Sequence, residues 1–349
     1  MADDILLEVR NLSTHFEVRG GVVKAVDGLD LTLHRHRTMC VVGESGSGKS
    51  ITASSILQIL RKPGRIVAGE IIYHFEDGRT VDIASLPPDS PQMRAIRGKH
   101  IAMIFQEPMT SMSPVHTIGD QISEMILIHE EVSKAEAKAR TVRLLGRVGI
   151  PNPEARYDVY PFLLSGGRRQ RAMIAMALSC APDLLIADEP TTALDVTTQA
   201  NVLDLMREVQ QEFGISIMLI THDLGVVAEV ADDVTVMYLG RTMEQAGVHD
   251  LFECPQHPYT LALLGSIPRL DLERGERLTQ IRGMVPNPLA RPSGCPFVSR
   301  CPERRDGLCS AGVPDLFALE GGRLSRCYQH DPVAGRDWAP ASQEQEASA

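Results

Sequence analysis

The stretch GESGSGKS at residues 43–50 constrains this chain more than any other. It fits the pattern G-x-x-x-x-G-K-[ST]. It also follows the apolar run TMCVV (38–42) and precedes a helix-like segment, ITASSILQIL (51–60). In that context successive backbone N–H groups can close around phosphate oxygens. Gly43, Glu44, Ser45, Gly46, Ser47 and Gly48 would form the loop. Lys49 is expected on the β and γ phosphates, the Ser50 hydroxyl on Mg²⁺, and Ile51 in the first turn of the helix. A chance match somewhere in 349 residues has odds on the order of one in a hundred.

The rest of the chain supplies a fold to suit such a loop. Residues 6–18 read as a strand and 101–105 as a buried one. LLIAD (184–188) is apolar throughout, as for a strand covered on both faces, and 215–221 and 232–240 read as two more strands. Residues 196–213 carry Val202, Leu205, Met206, Val209 and Phe213 at helical spacing, with Gly214 as the stop. Between about 110 and 180 the pattern is helical. There Ser133 and Glu136 make a candidate capping box, followed by Ala137, Thr141, Leu144, Leu145 and Val148 on one face. Strand–helix alternation predicts an α/β fold with a largely parallel sheet. Hydrophobic residues at 43% and charged residues at 23% allow a sizeable core. The net charge of −10 counts against nucleic acid as a partner. MADDILLEVR is acidic and does not resemble a secretory signal, and no run reaches the ~18 apolar residues of a membrane-spanning helix.

Catalytic candidates sit at strand ends. Asp188 closes LLIAD, where a carboxylate can hold Mg²⁺. Glu189 follows and can orient, or take a proton from, a water attacking a γ-phosphate. In a parallel sheet His222, past the next strand, and Gln106, after IAMIF, emerge at the same C-terminal edge. Gln106 is a candidate for Mg²⁺ or the water, and His222 for the γ-phosphate. LSGGRRQR (164–171) raises a separate question. It offers bare backbone at Gly166 and Gly167 beside Ser165, a second anion-binding feature in a chain that already has one.

The loop, FQEPMTS, LSGGRRQR, LLIADEPTTALD and LITHD, in this order, resemble the ATP-binding subunit of an ABC transporter over roughly residues 5–255. The resemblance implies a RecA-like P-loop NTPase core with a helical subdomain at about 110–180. It also implies two subunits that hold each ATP between them, so that Ser165, Gly166 and Gly167 contact the nucleotide on the partner's P-loop. Asp195 would sit at the subunit contact and Phe16 would stack on adenine. Arg168 is a departure, since that family usually has glutamine or methionine there.

The tail narrows the resemblance. HPYT (257–260), GCPFVSRCPERRDGLC (294–309) and Cys327 resemble the C-terminal extension of oligopeptide/dipeptide importer subunits, here about 256–335, with residues 336–349 read as a disordered tail. The spacings Cys295-x₅-Cys301-x₇-Cys309-x₁₇-Cys327 are not those of a C-x₂-C zinc ribbon. Four thiolates suit Zn²⁺ or an iron–sulfur cluster, and the resemblance favours [4Fe–4S] over Zn²⁺ or no metal. It further implies two membrane permeases, a second, related ATP-binding subunit and an extracytoplasmic solute-binding protein, with this chain peripheral on the cytoplasmic face of the inner membrane. Residues 107–118 and the helices to about 165 form the expected docking surface for a permease, and Met109, Met112 and Val115 suit either that surface or ordinary core. The rival reading is a soluble ABC ATPase acting on ribosomes or DNA. It expects paired cassettes or a long coiled coil, and neither is visible.

Overall fold

A computed structural model describes residues 4–106, 111–192, 194–267 and 281–335. Two sheets organise it. The first, four-stranded and antiparallel, has the order β2–β1–β4–β5, from β1 (Ile5–Val18), β2 (Gly21–His34), β4 (Gly64–His74) and β5 (Thr80–Asp82). The second carries the site. Its parallel part runs β9–β3–β8–β7–β6, from β3 (Thr38–Val42), β6 (Ile101–Ile104), β7 (Leu184–Asp188), β8 (Ser216–Ile220) and β9 (Asp233–Tyr238). β3, β7 and β8 are buried at every position, which is why they read as unbroken apolar runs.

Helices cover this sheet and form a separate layer. Helix α1 (Lys49–Ile56) leaves the phosphate loop. It is shorter than the 51–60 expected, because Gln58 turns left-handed at φ 53 and its amide donates to the carbonyls of Ile83 and Leu86. After the short α2 (Pro91–Ile96), the helical unit comprises α3 (Ile118–His129), α4 (Lys134–Arg147), α5 (Pro153–Tyr157) and α6 (Gly166–Ala177). The Ser133 hydroxyl accepts from the Glu136 N–H, and Ala137, Thr141, Leu145 and Val148 are buried, as their spacing requires. Helix α7 (Val196–Phe213) ends on Gly214 in the left-handed region, φ 64. Phe213, the last residue of the helix, departs from expectation and is 37% exposed.

The C-terminal segment joins the core instead of packing alone. β10 (Arg241–Gly247) pairs antiparallel with β9 and also with β12 (Leu324–Ser325), which pairs with β11 (Phe317–Ala318), so the tail extends the main sheet. Tyr259, Cys295, Phe297 and Cys309 belong to the same apolar cluster as the parallel strands. Among the described residues no helix is long and apolar enough to cross a membrane.

Candidate functional site

The phosphate loop is threaded between two strands, and glycine is needed where it passes them. A Cβ on Gly43 (φ +148) would lie 2.1 Å from the Met237 carbonyl oxygen. One on Gly48 (φ +102) would lie 2.4 Å from that of Ala25. The turn closes with the Ser47 N–H donating to the Glu44 carbonyl, 3.1 Å, while the Gly240 N–H donates to the Ser47 carbonyl, 2.7 Å. Ser45 and Gly46 are exposed at its tip, and Ile51 packs partly buried on the core between the two sheets. Lys49 is nearly buried. Its ammonium donates to the carbonyls of Gly43 (2.8 Å) and Glu44 (3.2 Å), and burial pulls its pKa down, opposed by Glu189, Asp188 and Glu44.

The strand ends assemble a second set of groups beside that loop. The Ser50 hydroxyl donates to the Asp188 carboxylate, 3.0 Å. Burial first, and then the charge of Glu189, push the Asp188 carboxyl above its usual range, while the Ser50 hydrogen bond and Lys49 oppose the shift. A buried carboxylate so short of positive charge, next to a hydroxyl, is a donor set that fits Mg²⁺. Glu189 takes a left-handed backbone, φ 47, with its N–H on the Ile220 carbonyl of β8, 2.9 Å. That conformation is costly outside glycine. Here it turns the side chain toward three partners. The Gln106 amide donates at 3.0 Å, the Thr192 hydroxyl at 2.8 Å, and His222 Nδ1 lies 3.3 Å away. The three residues expected to act together are therefore in contact. Thr192 was not foreseen, since a threonine in a loop carries no distinguishing pattern.

Ser165 is the N-cap residue of α6 and makes no side-chain capping bond, so its hydroxyl is presented with the exposed Gly166 at the helix start. Gly167 lies against Thr198, where a Cβ would meet the threonine methyl at 3.1 Å. Two buried residues fix this corner: the Arg169 Nε donates to the Pro161 carbonyl, 3.0 Å, and the Gln170 amide to the Pro190 carbonyl, 2.8 Å. The second bond ties the serine–glycine helix to the loop that follows Glu189. Asp195 caps α7 by accepting from the Thr198 N–H (2.9 Å) and hydroxyl (2.7 Å). These bonds hold its carboxyl below the usual range, yet it stays exposed. Half-buried Phe16 pairs with Val23 and Gly64 in the antiparallel sheet.

The segment expected to meet a permease divides between core and surface. Met112 is 3% exposed and belongs to the core, whereas Val115 is 72% exposed. Met109 lies outside the described residues, as do residues 336–349. A largely apolar groove of about 200 Å³ is lined by Leu57, Ile59, Met103, Phe105, Met125 and Met176. Cys295, Cys301, Cys309 and Cys327 line one small apolar cavity with His257, Phe297 and Tyr328. Burial pushes the thiols of Cys295, Cys301 and Cys327 up to about 11, 12 and 12. The donor chemistry suits a soft metal. Even so, among the described residues no three His, Cys, Asp or Glu side chains converge on a metal position.

A sheet and loop joined in this way to a helical unit define an ATP-binding cassette. Residues 26–192 match the ABC transporter family, and 243–309 match the C-terminal region of oligopeptide/dipeptide transporters. The oligopeptide transport ATP-binding protein AppD of Bacillus subtilis is 50% identical over 93% of this chain and 97% of its own length. OppD of Salmonella typhimurium, also an oligopeptide transport ATP-binding protein, is 47% identical over 93% and 94%. A bacterial ABC transporter cassette solved as a dimer shares the fold, with a TM-score of 0.60 at 23% identity over 70% of this chain and 99% of that one. The chain belongs to the ATP-binding subunits of ABC transporters, and so to the ABC ATPases.

Proposed function

We infer that this chain is the ATP-hydrolysing subunit of an importer of di- and oligopeptides or related small solutes, peripheral on the cytoplasmic face of the inner membrane. The observation that carries the reading is similarity to oligopeptide transport ATP-binding proteins, and to putative peptide import ones, along nearly the whole chain, extension included. In the hydrolytic step Glu189 takes a proton from the water that attacks the terminal phosphorus. The bond to the bridging oxygen breaks, and ADP and phosphate leave. Gln106, Thr192 and His222 orient the Glu189 carboxylate, and Lys49 meets the negative charge of the phosphates. Mg²⁺, when held by Ser50, Asp188 and Gln106, neutralises charge on the β and γ phosphates.

Ser165, Gly166 and Gly167 reach the nucleotide of a second, related ATP-binding subunit, with Asp195 at the seam. A phosphate gripped from both sides ties the subunits together, and its loss releases them. This answers why one chain carries two phosphate-binding features. Two permeases receive the motion, one of them through the groove lined by Phe105 and Met125, and an extracytoplasmic binding protein delivers the solute. Nucleic acid is not a partner. The four clustered cysteines are candidate ligands of a [4Fe–4S] cluster. Iron and labile sulfide content of anaerobically purified protein tests this, and finding neither leaves four reduced thiols.

The decisive experiment for the function is uptake. Cells whose only copy carries Lys49→Ala should fail to accumulate labelled di- and oligopeptides, while protein level and membrane association persist. Unchanged uptake of every peptide and small solute tried would remove the import reading.

A further inference from the structure

The second residue of the phosphate loop is held from the far end of the chain. The guanidinium of Arg300 makes a two-pronged ion pair with the Glu44 carboxylate, at 2.6 and 3.0 Å. Tyr259, from the helix Pro258–Gly265, accepts a hydrogen bond from the Glu44 N–H through its hydroxyl, 3.1 Å. Both residues lie in the C-terminal segment, beyond the elements that build the loop itself.

Each anchor is itself fixed. The Arg300 side chain is 3% exposed, and it donates to the Arg282 carbonyl and the Tyr238 hydroxyl as well. Tyr259 is fully buried. The HPYT sequence aims it: the His257 imidazole caps that helix by accepting the Tyr259 N–H at 2.9 Å, and Pro258 supplies the first helical residue. The Glu244 carboxylate in turn accepts the N–H groups of Gln256 and His257.

The electrostatics give the pair a purpose. Glu44 places a carboxylate in the first turn of a loop meant for a polyanion, and an unmatched negative charge there would repel the phosphates. Arg cannot lose its proton, and its fork matches a carboxylate in geometry as well as charge.

We propose that Arg300 and Tyr259 are positioning residues for ATP: the C-terminal extension neutralises Glu44 and fixes the shape of the phosphate loop. The inference rests on the ATP-binding reading of that loop and adds a role for the extension. Without the guanidinium, the Glu44 charge is unmatched and the loop loses a charge-assisted anchor. An anchor of this kind is worth about a tenfold change in affinity.

The test is equilibrium binding of a non-hydrolysable ATP analogue with Mg²⁺ to four full-length proteins: the wild type, Arg300→Gln, Glu44→Gln, and the double variant. Arg300→Gln is expected to weaken binding about tenfold, with the deficit shrinking as ionic strength rises. Glu44→Gln alone breaks the same anchor and is expected to bind more weakly than wild type but less weakly than Arg300→Gln, and adding it to Arg300→Gln removes the unmatched charge and should restore part of the loss. A merely structural arginine would not be rescued by removing its partner's charge. A double variant as weak as Arg300→Gln, or an Arg300→Gln protein equal to wild type, would overturn the proposal. Should the Arg300 variants not fold, Tyr259→Phe keeps the ring and removes the acceptor; it must weaken binding about threefold or more, and unchanged binding would sink the idea. Wild type binding no better than Lys49→Ala would instead refute the ATP reading of the loop.

Discussion

Replacing Glu189 with glutamine isolates one proton acceptor without disturbing its surroundings. The side chain is 17% exposed and is met by Gln106, Thr192 and His222 at 3.0, 2.8 and 3.3 Å. Glutamine has nearly the same volume and still offers Thr192 a carbonyl oxygen, so folding and ATP affinity should persist. The lost function is proton transfer, which is worth about 10²- to 10⁴-fold. That corresponds to about 3–5 kcal/mol on the barrier. Single-turnover phosphate release from the assembled transporter is the assay, with ATP affinity measured in parallel. The expected result is a rate down by about 10³ at unchanged affinity, and accumulation of the ATP-bound, closed form. A rate within about threefold of wild type, against the at least hundredfold loss expected of a general base, would refute the argument that the strained backbone at this residue serves to aim a base.

Three further outcomes follow from individual contacts. His257 accepts the Tyr259 N–H, which requires a neutral ring, and burial pulls its pKa down to about 3. The unfolded chain therefore takes up a proton that the native state refuses. This stabilising contribution is whole above about pH 6.5 and shrinks by about 1.4 kcal/mol per pH unit toward pH 3. Urea unfolding across that range should show His257→Asn, which can still cap the helix, with a slope about one proton shallower. Gln170→Leu strands the Pro190 carbonyl at a buried contact. It should cost about 1–3 kcal/mol in chemical unfolding and lower turnover without changing ATP affinity. Phe105→Glu puts a charge in the apolar groove at a residue 41% exposed. Co-purification with the permeases should fail while the free subunit still binds ATP.

How much of this could be read in the sequence depends on how local its cause is. β3 and β7 were legible to the residue because burial on both faces leaves an unbroken apolar run. Helix α7 was legible because its period ends on a left-handed glycine. The antiparallel sheet was largely missed. β2 carries Lys24, Asp27, Gly28 and Asp30 among its apolar residues, and β1 is interrupted by register shifts, so neither shows a clean alternation. Met112 was left open between docking surface and core and is core, since one methionine between prolines and serines has no periodicity to place it. The strand-end group of Asp188, Glu189, Gln106 and His222 was legible because a parallel sheet brings such ends to one edge. Arg300 was not, because its partner lies 256 residues away and only the folded chain brings them together.

In the function proposed above, ATP draws two subunits together through the phosphate loop of one and the serine–glycine helix of the other. Ser165 and Ser45 are both exposed. The direct measurement is therefore a disulfide crosslink between Ser165→Cys on this chain and a cysteine in the tip of the facing subunit's phosphate loop, formed in the assembled transporter with Glu189→Gln. A crosslink that appears with ATP and disappears with ADP is the expected result. A yield that is nil with ATP, or the same with and without nucleotide, would contradict it.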